Sequence, residues 1–217
     1  MFRPDTWDRD IWLSVTAGNE YGLAARFGPG DVVLDIGAHI GAFSYLALDH
    51  GAGRVVSVEP DPENAYYLRH NVHMACGATD RCVIVTAAAG EADGTAEFTA
   101  HPVNTGGGAV GAGEGRRFPV AVVAFDRLVD FAAGESGTIR LLKLDCEGSE
   151  WPVLHTSRRL HRVRAIVGEY HVPESGRGSG GAEELDGLLR GAGFEVLTRP
   201  TAGRMGLFTA WRAGSAV

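Results

Sequence analysis

The sequence predicts an open α/β fold, a mostly parallel sheet with helices on both faces and one antiparallel strand supplied by a C-terminal hairpin. Three observations carry this. From Val32 onward, strand-like apolar runs alternate with helix-like stretches: "DVVLDIG", "AFSYLAL", "GRVVSVEP", "DPENAYYLRHNVHMAC". A glycine turn, "DIGAHIG", joins the first strand to the first helix of that series. The chain then closes on two strand-like runs, "FEVLTRP" and "MGLFTAW", parted only by "TAGR".

Each element has its own local reason. In "DTWDRDIWLSVTAG", Trp7, Ile11 and Val15 recur at four-residue spacing and predict a short amphipathic helix ahead of the core. Gly28, Pro29 and Gly30 end that segment, so residues 1–30 read as a helical cap and 31–217 as the core of a single domain spanning 1–217. In the second core helix, Asp61 is placed to be the N-cap and Pro62 to take the first helical position, while Leu68, Val72 and Cys76 form an apolar stripe. "CVIVTAAAG" reads as one further strand, and "FPVAVVAFDRLVD" as a strand running into a helical turn. Between them "NTGGGAVGAGEGRR" reads as a mobile loop, because so much glycine loses a great deal of backbone entropy on ordering. "TIRLLKLDCEGSEWPVL" repeats the strand-turn-helix pattern, "VRAIVGEYHVP" is a buried strand with a polar end, and a helix through "AEELDGLLRGAG" follows the "ESGRGSGGA" loop.

Composition narrows the partners. The chain has 217 residues, 45% of them hydrophobic, enough for one substantial core. Its formal net charge of −7, with 20 Lys and Arg in all, argues against a nucleic-acid footprint and for a small-molecule partner. The start, "MFRPDTWDRD", carries acids and a proline where a secretion signal needs an apolar run, and no run of about 18 apolar residues occurs. A cytoplasmic protein without a membrane partner is therefore expected, with a homodimer left open. Cys76, Cys82 and Cys146 have neither CxxC nor zinc-ligand spacing and read as reduced, mostly buried residues.

In an open parallel sheet, ligands lie beyond the carboxyl ends of the strands, where the chain order reverses. Asp35 to Gly41 occupies such an end. A dinucleotide fingerprint would read G-x-G-x-x-G, whereas here His39 stands where a middle glycine belongs and Asp35 leads the turn. A leading acid would repel a diphosphate but suits the ammonium end of S-adenosylmethionine. Glu59, at the end of the second strand, holds the position from which an acid accepts hydrogen bonds from both ribose hydroxyls.

With these residues in view, the chain resembles the FkbM-type S-adenosylmethionine-dependent methyltransferases. The resemblance rests on "VVLDIGAHIGAFS", "VVSVEPDPENAYYLRHNV", "AAAG", "FDRLVD", "LLKLDCEGSEWPVL" and "AIVGEYH", in family order, across about residues 20 to 211. It implies a Rossmann-like class I methyltransferase fold with a seven-stranded sheet, acting on a hydroxyl of a small molecule or sugar. It further implies that Asp35, Gly37, Ala38, His39 and Gly41 line the methionine side of the cofactor pocket, that Glu59 with Pro60 holds the ribose, and that Ala87 and Ala88 flank the adenine. The chain departs from the family at His39, where asparagine is usual. Glu20 and Tyr21 fall where related enzymes place residues near the cofactor's amino-acid end.

Lys143 and Asp145 lie two apart in one strand, Glu169 and His171 two apart in another, so each pair shares a face. As neighbouring strands these would bring Asp145, Glu147, Glu169 and His171 together at the methyl group, with Asp145 also touching the cofactor. A neutral alcohol is a poor nucleophile, and the ordinary imidazole pKa of about 6.5 suits a general base. His171 is therefore the expected base, with Asp145 or Glu169 orienting it or the acceptor. A divalent cation held by the same carboxylates and imidazole is the second reading of the cluster. Lys143 is expected to pair with an acid and Glu150 to cap a helix dipole. Loops 103–117 and 173–182 are expected to shape the acceptor pocket. The competing functions are N-methylation, a nicotinamide-dependent oxidoreductase, and a binding module without activity.

Overall fold

A computed structural model describes residues 1–23, 26–77, 80–111, 115–134, 137–172, 181–201 and 204–215. In chain order the elements are α1 (Asp8–Thr16), β1 (Val32–Ile36), α2 (Ala42–Asp49), β2 (Arg54–Val58), α3 (Pro62–Cys76) and β3 (Cys82–Val85). There follow β4 (Ala88–Gly90), β5 (Gly94–Ala100), β6 (Ala109–Val110), β7 (Arg116–Ala124) and α4 (Phe125–Ala133). The last third holds β8 (Leu141–Leu144), α5 (Glu150–Thr156), a 3-10 turn (Leu160–Arg162), β9 (Ala165–His171), α6 (Ala182–Gly191), β10 (Glu195–Pro200) and β11 (Met205–Trp211).

Seven strands form the main sheet in the order β10-β11-β9-β8-β1-β2-β3. All pairings from β9 to β3 are parallel, and β11 alone runs against its neighbours β9 and β10. Chain order runs outward from β1 through β2 and β3, then resumes on the other side with β8, which places a topological switch between β1 and β8. β1 is buried on both faces: Leu34 and Ile36 join a core with α4, α5 and α6, while Val33 packs with residues of α2 and α3.

The helix boundaries follow the sequence signals. Asp61 caps α3 by accepting the Glu63 N–H at 2.8 Å, and Pro62 takes the first position. Leu68 and Val72 of its stripe are buried, while the Cys76 side chain lies outside what is described. In α4, Phe125, Leu128, Val129 and Ala132 form a buried stripe, so the expected helical turn is a full nine-residue helix. Trp7 is the exception among the first helix's apolar positions, lying exposed just ahead of α1, whereas Val15 is buried.

Two expectations are corrected here. The run 82–90 is two strands, not one: Val58 of β2 pairs with Val85, the Glu59 N–H makes one last bond to the Val85 carbonyl, and Ala88–Gly90 pairs with β7 instead. That pairing belongs to a second sheet, β4-β7-β5-β6, which the sequence did not reveal. Its β6 is drawn from the glycine-rich tract that reads as a loop, with Phe98 facing Val110 and Thr99 facing Ala109. Pro119 is tolerated in β7 because β4 pairs only with Val122–Ala124, leaving that edge free at Pro119. Residues 173–180 of the expected pocket loop lie outside the described residues.

Candidate active site at the carboxyl end of the sheet

A cavity of about 240 Å³ opens at the switch point, beyond the ends of β1, β2 and β8. Its floor is the glycine turn. Gly37 has φ 75°, and a Cβ there would lie 1.7 Å from the Asp145 carbonyl oxygen, so only glycine lets β1 pass so close to β8. Lys143 locks that crossing. The parallel register sets it opposite Asp35, and its Nζ donates to the Gly37 carbonyl at 2.5 Å and lies 3.7 Å from Asp35 and 3.4 Å from Asp145. Burial works against its charge, yet Asp145 and Asp35 outweigh this and raise its pKa. The expected pairing of Lys143 with an acid therefore holds, and the lysine also fixes the turn.

Of the expected cofactor residues, Gly37, Ala38, His39, Glu59, Pro60, Ala87, Ala88 and Asp145 line the cavity. Asp35 and Gly41 are corrected. Asp35 is fully buried behind the wall, where its carboxylate accepts the Ser44 hydroxyl at 2.6 Å; burial, opposed by Lys143, raises its pKa. Gly41, at φ 90°, is the left-handed residue before α2, and a Cβ there would press on Leu68 at 3.1 Å. Both therefore shape the turn rather than face a ligand.

Glu59 is buried with three donors already on it: Asp61 N–H at 2.9 Å and Asn64 Nδ2 at 3.2 Å on Oε1, and His39 N–H at 2.8 Å on Oε2. Burial outweighs these bonds and pushes its pKa up to about 7. Oε2 keeps one lone pair for a ligand hydroxyl. Tyr21 and Glu20 also line the cavity, and the Tyr21 hydroxyl donates to Asp145 Oδ2 at 2.7 Å. Asn104, Thr105 and Gly106, from the loop 103–117 expected at the acceptor pocket, form part of the opposite wall, whereas sequence reasoning missed the part made by Ile11 and Val15 of α1. No local signal marks these two, because their place depends on how α1 packs against the rest of the fold.

The polar cluster forms, but with different roles. β8 pairs with β9 as Leu144 to Gly168, and one further step sets Asp145 beside Glu169. Asp145 and Glu169 line the cavity, as does Glu147. His171 does not: its Nδ1 lies 3.1 Å from Glu150 Oε1 and its Nε2 3.3 Å from Glu147 Oε2 and 4.0 Å from Glu169. Burial works to lower the imidazole pKa, but the bond to Glu150 and the charges of Glu150, Glu147 and Asp145 prevail and push it up to about 9. A pKa raised that far makes His171 a poor proton acceptor at neutral pH, which speaks against the expectation that it is the general base.

Glu147 and Glu169 carry the complementary change. Burial, with the neighbouring carboxylates, pushes each up to about 7 against the pull of His171. Asp145 goes the other way: burial opposes its charge, but Lys143 and His171 hold it below the ordinary carboxylate range. Glu150, expected as a helix-dipole cap, is fully buried and accepts the N–H groups of Cys146 at 2.8 Å and Gly148 at 2.7 Å besides meeting His171. It therefore holds the turn that presents Glu147, a non-glycine residue at φ 53°.

Asp145, Glu150 and His171 bring ligand-type atoms within 4.8 Å of one another. Asp145 Oδ2 is taken by Tyr21 and faces Lys143, Glu150 accepts two backbone N–H groups, and His171 Nδ1 meets Glu150, while His171 Nε2 is buried without a hydrogen-bond partner. With the Lys143 ammonium against Asp145 and two backbone donors already on Glu150, the set does not fit a divalent cation.

The seven-stranded sheet with its single antiparallel strand, and a cavity lined by the Gly37 turn and Glu59, define a class I S-adenosylmethionine-dependent methyltransferase. Residues 35–196 match the methyltransferase FkbM domain, and the chain belongs to that family. It is 31% identical to the 31-O-demethyl-FK506 methyltransferase FkbM of Streptomyces tacrolimicus, over 78% of this chain and 74% of that one. Among solved structures, methyltransferase FkbM from Methylobacillus flagellatus aligns with TM-score 0.56 and 21% identity over 88% of this chain. This chain spans 45% of that structure's length. Precorrin-6y C5,15-methyltransferase from Geobacter metallireducens shares the fold at TM-score 0.50 and 15% identity, over 98% of this chain and 93% of that one.

Proposed function

We propose that the chain methylates a hydroxyl of a small molecule or sugar of natural-product type, in the cytoplasm. The observation that carries this is the pair Asp145 and Glu169, set side by side at the cavity wall by the β8–β9 register, one held ionised and the other with its pKa near 7. The name of the Streptomyces relative, which specifies a 31-O position, supports an oxygen acceptor.

S-adenosylmethionine supplies a methyl group already activated by its sulfonium. Gly37, Ala38 and His39 would hold its amino-acid side, Glu59 and Pro60 its ribose, and Ala87 and Ala88 its adenine. The chain's own task is then to align the acceptor oxygen and take its proton. Asp145, steadied by Tyr21 and Lys143, orients the hydroxyl. Glu169 accepts the proton, and the imidazolium of His171 steadies the carboxylates around it.

A panel of paired alcohols and amines incubated with S-adenosylmethionine tests the oxygen assignment by product mass and by S-adenosylhomocysteine release. Methylated alcohols are expected, and methylation of the amines alone would replace the reading with N-methylation. Glu169→Gln should reduce turnover by about 10²-fold or more with cofactor binding retained. Because the donor set does not fit a cation, activity should persist after chelation with EDTA, and loss restored by Mg²⁺ would revive the metal reading.

A further inference from the structure

The turn residue His39 is joined to two parts of the chain that the motif does not contain. Its Nε2 lies 2.8 Å from Thr105 Oγ1 and 3.5 Å from Asp8 Oδ1, and the Thr105 hydroxyl donates to the same Asp8 oxygen at 2.5 Å. Asp8 is the first residue of α1 and Thr105 belongs to the segment between β5 and β6. Arg3 holds Asp8 through Nε at 3.0 Å and Nη2 at 2.9 Å, and the same Nη2 reaches Asn64 Oδ1 at 2.6 Å.

The protons in this chain of contacts can be assigned. Burial opposes a charge on Asp8, but bonds from His39, Arg3 and Thr105 hold its carboxyl well below the usual range, so it is an acceptor only. The single hydroxyl proton of Thr105 is spent on Asp8. Thr105 Oγ1 must then accept from His39, which puts the ring proton on Nε2. A proton on Nδ1 would meet no acceptor, and burial lowers the His39 pKa against the pull of Asp8, so Nδ1 carries a bare lone pair. That nitrogen is buried and has no hydrogen-bond partner in the chain. A neutral buried acceptor calls for a donor.

The neighbouring groups indicate which donor. His39 and Glu59 both line the cavity, and the His39 backbone N–H is bonded to Glu59 Oε2, the oxygen with a lone pair to spare. Two acceptors joined through the His39 backbone N–H match two vicinal hydroxyls. We propose that the ribose diol of the cofactor is divided between them, one hydroxyl donating to Glu59 Oε2 and the other to His39 Nδ1, with Asp8 and Thr105 as positioning residues that fix the ring tautomer. This rests on the S-adenosylmethionine site described above and goes beyond it, because Glu59 alone would otherwise serve both hydroxyls.

The test uses S-adenosylhomocysteine and its 2′-deoxy and 3′-deoxy ribose analogues, titrated calorimetrically into the full chain. His39→Ala should weaken S-adenosylhomocysteine by about tenfold, one hydrogen bond's worth, yet leave the affinity for one of the two deoxy analogues unchanged. Thr105→Val and Asp8→Asn should show the same selectivity more weakly. Long-range ¹H–¹⁵N spectra should show His39 as the Nε2–H tautomer in the parent and a shifted tautomer ratio in Thr105→Val, a change that loss of packing alone would not produce. Equal weakening of all three ligands, or an Nδ1–H tautomer in the parent, overturns the proposal. Failure of the parent to bind S-adenosylhomocysteine at all overturns the cofactor reading on which it stands.

Discussion

At the scale of single residues, the site works by moving protonation states apart. His171 is pushed up to about 9 while Glu147 and Glu169 are pushed up to about 7, so between those values the carboxylates are ionised and the imidazole is charged. If Glu169 takes the proton, turnover should rise with an apparent pKa near 7 and fall near 9, giving a bell-shaped profile. A profile that rises near 6.5 and has no falling limb would return the role to His171. The same shifts act on stability. The raised His171 contributes stability present in full below about 6.5 and lost as pH rises through about 9, while Glu147 and Glu169, also raised, cost stability as pH rises from about 4.5 to about 7. The thermal midpoint of the ligand-free chain should therefore decline from pH 5 to pH 9, and Glu147→Gln should flatten the lower part of that decline. Glu150→Ala, which strips a buried charge from His171 and two N–H groups, should cost about 3 kcal/mol in urea denaturation. That Gly37, Glu59 and Asp145 would line the cavity was legible because turn chemistry and strand ends are local patterns. That Asp35 faces inward to Ser44 was not, since its partner is chosen by how α2 packs on β1.

At the scale of elements, α3 shows how completely a local signal can act. Asp61 and Pro62 mark its start in sequence and do so in the structure, where Asp61 caps it and Gly77 ends it, left-handed at φ 58°. Asp61→Ala should lower stability by about 1 kcal/mol, read as a shifted urea midpoint with an unchanged slope. The β1–α2 turn is less forgiving: Gly37→Ala would drive a methyl into the Asp145 carbonyl and should abolish S-adenosylhomocysteine binding while lowering the thermal midpoint. The run 82–90 marks the limit of element reading. Nothing in "CVIVTAAAG" says that pairing must stop at Val85. That limit comes from β2, whose last paired residue is Val58.

At the scale of the whole molecule, the main sheet supplies one wall of the cavity and the small sheet with α1 supplies the other. Binding that closes such a cavity stabilises the folded chain in proportion to ligand occupancy, about 2.7 kcal/mol at a hundredfold excess over Kd. S-adenosylhomocysteine should therefore raise the thermal midpoint in a concentration-dependent way, and NAD should not. No helix among the described residues is long and apolar enough to cross a membrane.

By itself the sequence determined the alternation of strands and helices, the antiparallel C-terminal strand, the glycine turn and the acids at the strand ends. These follow from side-chain periodicity, capping and turn stereochemistry, all of which act between residues a few positions apart. The tertiary structure alone decided that His171 answers to Glu150 and Glu147, that 82–90 divides between two sheets, and that Asp8 and Thr105 meet at His39 from 97 residues apart. Such contacts are set by burial and electrostatics across the assembled core, and no local pattern encodes them.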